Sequence, residues 1–307
     1  MLTSSLTSRQ KGLLAAVLTA TCWSFLAILL KIALNYADSY SIVWYRMVVA
    51  FGFLSLWMLK NNPRSSFKVL KQPPGLLLIA SLCLAFNYVG FMQGVHYTSP
   101  ANAQIFIQVG PLLLALSGVF FFKERLSLLQ SLGFLFCIVG FSLFFWDRQA
   151  AMSQEPSSFL IGLTWIFMAA ATWAIFASLQ KKLFSFWKSS QINLYIYLVS
   201  SLLFLPFVDW TTLLNLPLWV HALYIFLGFN TLLAYGCLSI ALKNLPATQV
   251  SPIITMNPLF TLLLLIIIER MNWQILPPDP IQWKGYLGAL FAVMGVIFVV
   301  TKSSKRT

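Results

Sequence analysis

Polar residues in this chain arrive in short clusters, and between the clusters lie ten apolar stretches of about 20 residues each. They cover about residues 12–35, 39–60, 74–95, 99–122, 126–146, 159–182, 189–208, 218–242, 247–268 and 282–301. Each is long enough to cross ~30 Å of hydrocarbon as a helix. Apolar residues run continuously within them instead of alternating in twos, which excludes a transmembrane β-barrel. The pattern predicts an all-α polytopic membrane protein of ten transmembrane helices. The first stretch is too long for a cleavable signal peptide and lacks a clear small-residue cleavage site.

Two of the stretches rhyme. Pro100 to Arg125 reads as a proline, a polar-spotted apolar run, Pro111, a second apolar run and Glu124-Arg125. Pro246 to Arg270 repeats the order, with Pro258 in the middle and Glu269-Arg270 at the end. Other marks recur in the same sequence: Trp23 with Lys31 eight residues on, and Trp173 with Lys181 eight residues on. Gly90 stands ten residues before Pro100 as Gly236 does before Pro246, and Gly133 and Gly140 echo Gly288 and Gly295. The polar segment Asp147 to Ser158 is the natural joint, placing one five-helix repeat at 1–150 and another at 151–307. Five is odd, so the second repeat threads the bilayer upside down relative to the first. Two inverted repeats of this kind enclose a site near the membrane midplane and rock about it. Pro111 and Pro258 each free a carbonyl one turn back, which a neighbour or a water-lined cavity must satisfy. They are read as hinges or kinks. Gly90 and Gly94 form a GxxxG face suited to internal helix packing, or alternatively to dimerisation; a monomer is expected, with a dimer as the alternative.

Composition agrees with a membrane protein: 59% of residues are hydrophobic and 9% are charged, against roughly 25% charged in soluble domains. The formal charge of +13 would suggest nucleic acid in a soluble chain, but here it follows the loops. With the N-terminus inside, fifteen of the twenty basic residues fall on the cytoplasmic side, and Arg148, Arg270 and Lys284 on the other. This bias places both termini in the cytoplasm. Lys31 and Arg46 remain inside spans. Cys22, Cys83, Cys137 and Cys237 all fall inside spans and read as small packing residues. They show no metal or disulfide spacing, so no metal, cofactor or nucleic-acid partner is expected.

The ordered set of Trp23-Ser24, Tyr45-Arg46, Gly94 before Thr98-Ser99-Pro100-Ala101, Pro111 with Glu124-Arg125, and the glycine pair of span five resembles the EamA-type branch of the drug/metabolite transporter superfamily. The likeness extends over essentially the whole chain, in two copies. It implies ten helices in two inverted halves and export of amino acids or related metabolites, with uptake in some members. Span seven departs from the pattern. It carries Gln191, Asn193, Tyr195 and Tyr197 and no arginine to match Arg46, so the cavity should be electrically lopsided.

Polar groups are costly in hydrocarbon and face a bundle interior or a water-filled cavity. The mid-depth candidates for substrate binding are Trp23, Ser24, Asn87, Tyr88, Gln104, Gln108, Trp173, Asn230, Tyr235, Thr255 and Asn257, with Thr172 beside them. Gln104 and Gln108 lie four apart and so share a face. Their amides both donate and accept, while Trp23 and Trp173 offer flat walls. Each amide could equally serve an interhelical hydrogen bond. Arg46, also a substrate-binding candidate, lies about 10 Å below the outer start of its span. It suits either structural partners or a substrate carboxylate, which its fork fits well. Lys31, near the outer end of its span, is placed to snorkel. Together with Glu124, Arg125, Glu269 and Arg270 it reads as a gate or helix-end anchor. His96 and His221 fall at or near the outer surface.

The seven acidic residues all lie in loops or at span ends. An exporter of cationic drugs is expected to need a carboxylate within the membrane, so neutral, zwitterionic or anionic substrates are favoured. No HExxH, GxSxG or intramembrane aspartate pair supports an enzyme. The leading expectation is a non-enzymatic secondary transporter of the bacterial inner membrane, whose partners are a small-molecule substrate and membrane lipid. The alternatives are an importer of a nucleotide-like metabolite or vitamin on the same scaffold, and a non-transporting receptor or scaffold.

Overall fold

A computed structural model describes residues 7–61, 68–71, 73–122, 127–148, 156–245, 250, 253–272, 275–276 and 279–301. The ten crossings are α1 (Ser8–Ala33), α2 (Ser39–Asn61), α3 (Gly75–Tyr97), α4 in two pieces (Pro100–Phe106 and Val109–Phe122), α5 (Leu128–Asp147), α6 (Pro156–Leu183), α7 (Ser189–Phe204), α8 (Leu218–Asn244), α9 (Asn257–Arg270, with a short turn over 253–255 before it) and α10 (Trp283–Thr301). Among the described residues, nine helical spans are long and apolar enough to cross a membrane, the α9 span with its preceding turn among them; α4 is the tenth.

Local chemistry sets the starts of these helices. Thr7 and Gln10 close a reciprocal capping box on α1, as Ser127 and Gln130 do on α5. The Asp38 carboxylate accepts from the backbone of Tyr40 at 2.8 Å and Ser41 at 3.1 Å, capping α2. Ser99 caps α4, with Pro100 occupying its first turn, where a missing N–H costs nothing. At the far end of α5, buried Arg148 pairs with Asp279 and donates to the Pro280 carbonyl at 3.0 Å, tying this helix end to the segment before α10.

The helix pairings exchange when the two halves are swapped. Helix α1 packs along α8 as α6 packs along α3; α2 packs on α8 as α7 packs on α3; α1 meets α9 as α6 meets α4. The self-related pairs α2–α7, α4–α9 and α5–α10 meet one another across the middle. The fold is therefore two inverted five-helix repeats, interlocked through both halves and not set side by side.

Span four, read from sequence as one kinked helix, is broken outright at Ile107–Gln108. Pro111 has no N–H to offer the Ile107 carbonyl. That carbonyl instead accepts from Gly110 at 2.9 Å in a tighter turn, as Ile105 accepts from Gln108 at 3.2 Å. Pro258 likewise has no N–H to offer the Ile254 carbonyl, and the backbone around it tightens, with Met256 donating to Ile253 at 3.2 Å and Leu259 to Met256 at 3.1 Å. A proline breaks the helix at the matching place in each half.

Helices α5 and α10 touch backbone to backbone. A Cβ built on Gly133, Gly140, Gly288 or Gly295 would meet a backbone atom of the facing helix at 2.7 Å or less. In lipid, where hydrophobicity does not drive helices together, such close van der Waals approach is what does. The Gly90/Gly94 face is likewise taken: Gly90 abuts Trp165 and Ala169, and Gly94 abuts Ile166, all on α6. This face packs internally. Gly140→Leu should therefore lower stability by about 2–3 kcal/mol, the cost of overpacking. Gly52→Ala, with nothing within 4 Å of its added carbon, should be neutral or gain up to ~1 kcal/mol in helix propensity. Thermal unfolding of the two variants in detergent checks the contrast in sign.

Candidate functional site

The two breaks face each other across a central cavity of about 120 Å³. Its walls come from both halves: Trp23 and Leu26 on α1, Arg46 on α2, Asn87, Tyr88 and Phe91 on α3, Gln104, Ile107, Gln108 and Pro111 on α4, Trp173 on α6, Asn230, Thr231 and Tyr235 on α8, and Ile254, Thr255 and Asn257 at the α9 break. Three matched pairs, Trp23/Trp173, Ile107/Ile254 and Gln108/Thr255, line it together. The walls built by α1, α6, α4 and α9 thus keep the twofold relation, while those from α2, α3 and α8 do not.

Polar groups at the breaks satisfy one another. Gln108 donates to the Asn257 side chain at 2.9 Å, and Asn257 donates weakly to Gln104 at 3.4 Å. Gln104 also donates to the Trp23 carbonyl at 2.7 Å. The Asn257 carbonyl, at the start of the second α9 piece, lies 3.1 Å from the hydroxyls of both Ser24 and Thr261. Two further amides stitch helices outside the breaks: Asn87 to the Ala169 carbonyl at 2.9 Å, and Asn230 to the Cys22 carbonyl at 3.2 Å. One joins α3 to α6 and the other α8 to α1, which are equivalent contacts under exchange of halves.

Arg46 is the one formally charged side chain among the described residues lining the cavity. It is 2% exposed. One terminal nitrogen donates to Thr231 Oγ1 at 2.9 Å, and the guanidinium carbon lies 5.8 Å from the centre of the Tyr88 ring. Its Nε makes no hydrogen bond to any described residue. So enclosed a guanidinium cannot snorkel, and a charge at such depth is costly unless it is paired. The Thr231 hydroxyl and the Tyr88 ring face relieve it in part. Tyr88 continues into a run of edge-to-face rings, 6.1 Å to Tyr235 and on to Trp23 at 5.8 Å. One wall is therefore cationic at one end and aromatic along its length.

Of the residues singled out from sequence as substrate-binding, Trp23, Arg46, Asn87, Tyr88, Gln104, Gln108, Trp173, Asn230, Tyr235, Thr255 and Asn257 line this cavity. Ser24 does not: its hydroxyl turns to the Ala20 and Asn257 carbonyls, behind the wall. Thr172 bonds the Met168 and Ala169 carbonyls of its own helix. Gln191, Asn193, Tyr195 and Tyr197 are buried, but among the described residues α7 contributes nothing to the lining. Lys31 reaches the end of a neighbouring helix. Its ammonium donates to the Val95, His96 and Thr98 carbonyls at 2.9–3.1 Å, binding the end of α1 to the end of α3. Glu269 and Arg270 are exposed at the end of α9, and Glu124 and Arg125 lie outside the described residues. Pro111 lines the cavity, whereas Pro258 is buried just behind it. Thr231, the partner of Arg46, was missed although it adjoins Asn230 at mid-span. Leu26, Phe91, Ile107 and Ile254 had no signal to give, being apolar residues in apolar spans.

Comparison with known proteins gives a consistent picture. The sequence profile of the EamA-like transporter family matches residues 10–146 and again residues 160–301. An uncharacterized transporter of Haemophilus influenzae is 31% identical over 93% of this chain and 93% of its own length. The uncharacterized inner membrane transporter YhbE of Escherichia coli is 30% identical, covering 94% of this chain and 90% of its own length. A solved crystal structure at 15% identity covers 97% of this chain and 100% of its own with a TM-score of 0.65, a likeness of fold.

The amide cluster at the breaks has a measurable weight. Interhelical hydrogen bonds in membranes average about 0.6 kcal/mol and reach ~1.7. Asn257→Ala removes side-chain bonds to two glutamines, so it should cost about 1–3 kcal/mol in detergent unfolding. Ser24→Ala, which loses a shared hydroxyl contact, should cost less than 1 kcal/mol by the same measure.

Proposed function

Since the chain belongs to the EamA-like transporter family and is a multi-pass membrane transporter, we propose that it moves amino acids and related small zwitterionic or anionic metabolites outward by alternating access through the central cavity. The repeats 1–150 and 151–307 rock against each other, with both termini in the cytoplasm of a bacterial cell. The observation that supports this best is the meeting of the α4 and α9 breaks at one cavity lined from both halves. Unwound backbone at membrane depth is tolerated where it borders protein or water, and discontinuous helices at a repeat interface are where such carriers bind their cargo. Amide groups able to donate and accept, with two tryptophans as flat walls, suit a small polar molecule with an apolar body. The described lining includes no carboxylate, which disfavours a cationic cargo.

Counterflow in proteoliposomes tests the reading. Vesicles preloaded with a mixture of unlabelled amino acids should accumulate external labelled amino acids saturably, and Trp23→Ala should reduce the initial rate at least tenfold. Label that enters no faster than into protein-free vesicles would refute it.

A further inference from the structure

We infer that the cargo supplies the counter-ion of Arg46: the site reads a single carboxylate and does not read an amine, so the preferred ligand is a small organic monoanion with a flat apolar body. The inference rests on the transporter reading and narrows its substrate class. Three observations lead to it. Arg46 lines the cavity almost fully buried, yet among the described residues its Nε has no hydrogen-bond partner and no carboxylate lies within ion-pair range. The Tyr88 hydroxyl, on a cavity-lining residue that is 7% exposed, makes no hydrogen bond of ordinary geometry to any described residue, and the Tyr235 ring stands 6.1 Å from its own. The Tyr88 ring stands 5.8 Å from the guanidinium carbon and the Tyr235 ring 6.1 Å beyond it, so phenolic rings and no described acid border the cation along the cavity wall.

A buried guanidinium has five N–H donors in a fixed plane, matched to the two oxygens of a carboxylate. A phenol O–H beside it can add a third donor to the same anion. A lone fixed positive charge balances one negative charge, which fits a monocarboxylate better than a doubly charged phosphate. For an ammonium group the wall has less to offer. No described acid lines it, and the Tyr88 ring face already lies beside Arg46. The rest of the wall, from Tyr235 and Trp23 to Trp173, is aromatic and suits a ring or aliphatic body. Moving a monoanion without a compensating ion carries one negative charge per cycle, so an inside-negative membrane potential drives it outward.

The test uses the full-length protein in detergent and five probes: 3-phenylpropanoate, L-phenylalanine, 3-phenylpropanamide, 2-phenylethylamine and inorganic phosphate. Calorimetric titration and thermal shift should show 3-phenylpropanoate binding at least as tightly as phenylalanine. The amide should bind at least tenfold more weakly, and the amine and phosphate more weakly still. Arg46→Gln should cost both carboxylates at least tenfold and leave the amide unchanged. Tyr88→Phe keeps the ring beside Arg46, and should weaken the carboxylates several-fold even if Arg46→Gln does not fold. The inference is overturned if neither carboxylate binds, if amide, amine or phosphate binds as well as the carboxylates, or if carboxylate affinity survives both substitutions. Saturable counterflow alongside any of those results would leave the transporter reading standing and sink only the anion. Arg46-dependent carboxylate binding without counterflow would do the reverse.

Discussion

Hydrocarbon cannot satisfy a backbone N–H or C=O, and nearly every feature of this structure answers that constraint. Eight crossings meet it in the ordinary way, as unbroken helices. The other two, α4 and α9, cannot, because a proline in each removes a donor that the turn before it needs. The loose groups are taken up partly by tightened turns at Ile105, Ile107 and Ile253, and partly by side chains from neighbouring helices. A cavity at the same place is the third part of the same solution, since backbone that is neither helical nor buried in protein must meet water. The site is where it is because the helices break there.

Breaks and scaffold divide the labour between helices. The α5–α10 pair contributes none of the described residues that line the cavity and is held by glycines whose backbones touch. Its separation cannot vary without losing that contact. Helices α4 and α9 have the opposite character: short pieces, amide contacts and turns that can lengthen. Rigid backbone contact at one side of the bundle and adjustable hydrogen bonds at the centre form the combination that a rocking carrier requires.

Symmetry ends at Arg46. Its counterpart helix, α7, offers tyrosines and amides that stay behind the wall, so the cavity is charged on one side only. A charge at this depth is among the most expensive groups a membrane protein can hold. Thr231 and the Tyr88 face relieve it in part. The electrostatic identity of the site therefore depends on a single residue, set in a framework whose helix pairings exchange between the two halves.

Much of this was legible along the chain. Run lengths of apolar residues count the crossings, and recurring prolines, tryptophans and glycines disclose the repeat and where its helices break. Both signals are local: hydropathy acts on a segment of about 20 residues, and a proline acts on its own turn. Gln104 and Gln108 both line the cavity although the helix breaks at Ile107–Gln108 between them. Ser24 was placed on the wall beside Trp23 although neighbours on a helix point about 100° apart, and only Trp23 faces inward. The outcome for Lys31 depended on three carbonyls exposed at the end of α3, which no feature of α1 announces. Tertiary packing decided the rotation of each helix about its axis. It thereby decided which polar groups are spent on neighbours and which are left facing the cavity, because that choice belongs to pairs of helices and is written in neither one alone.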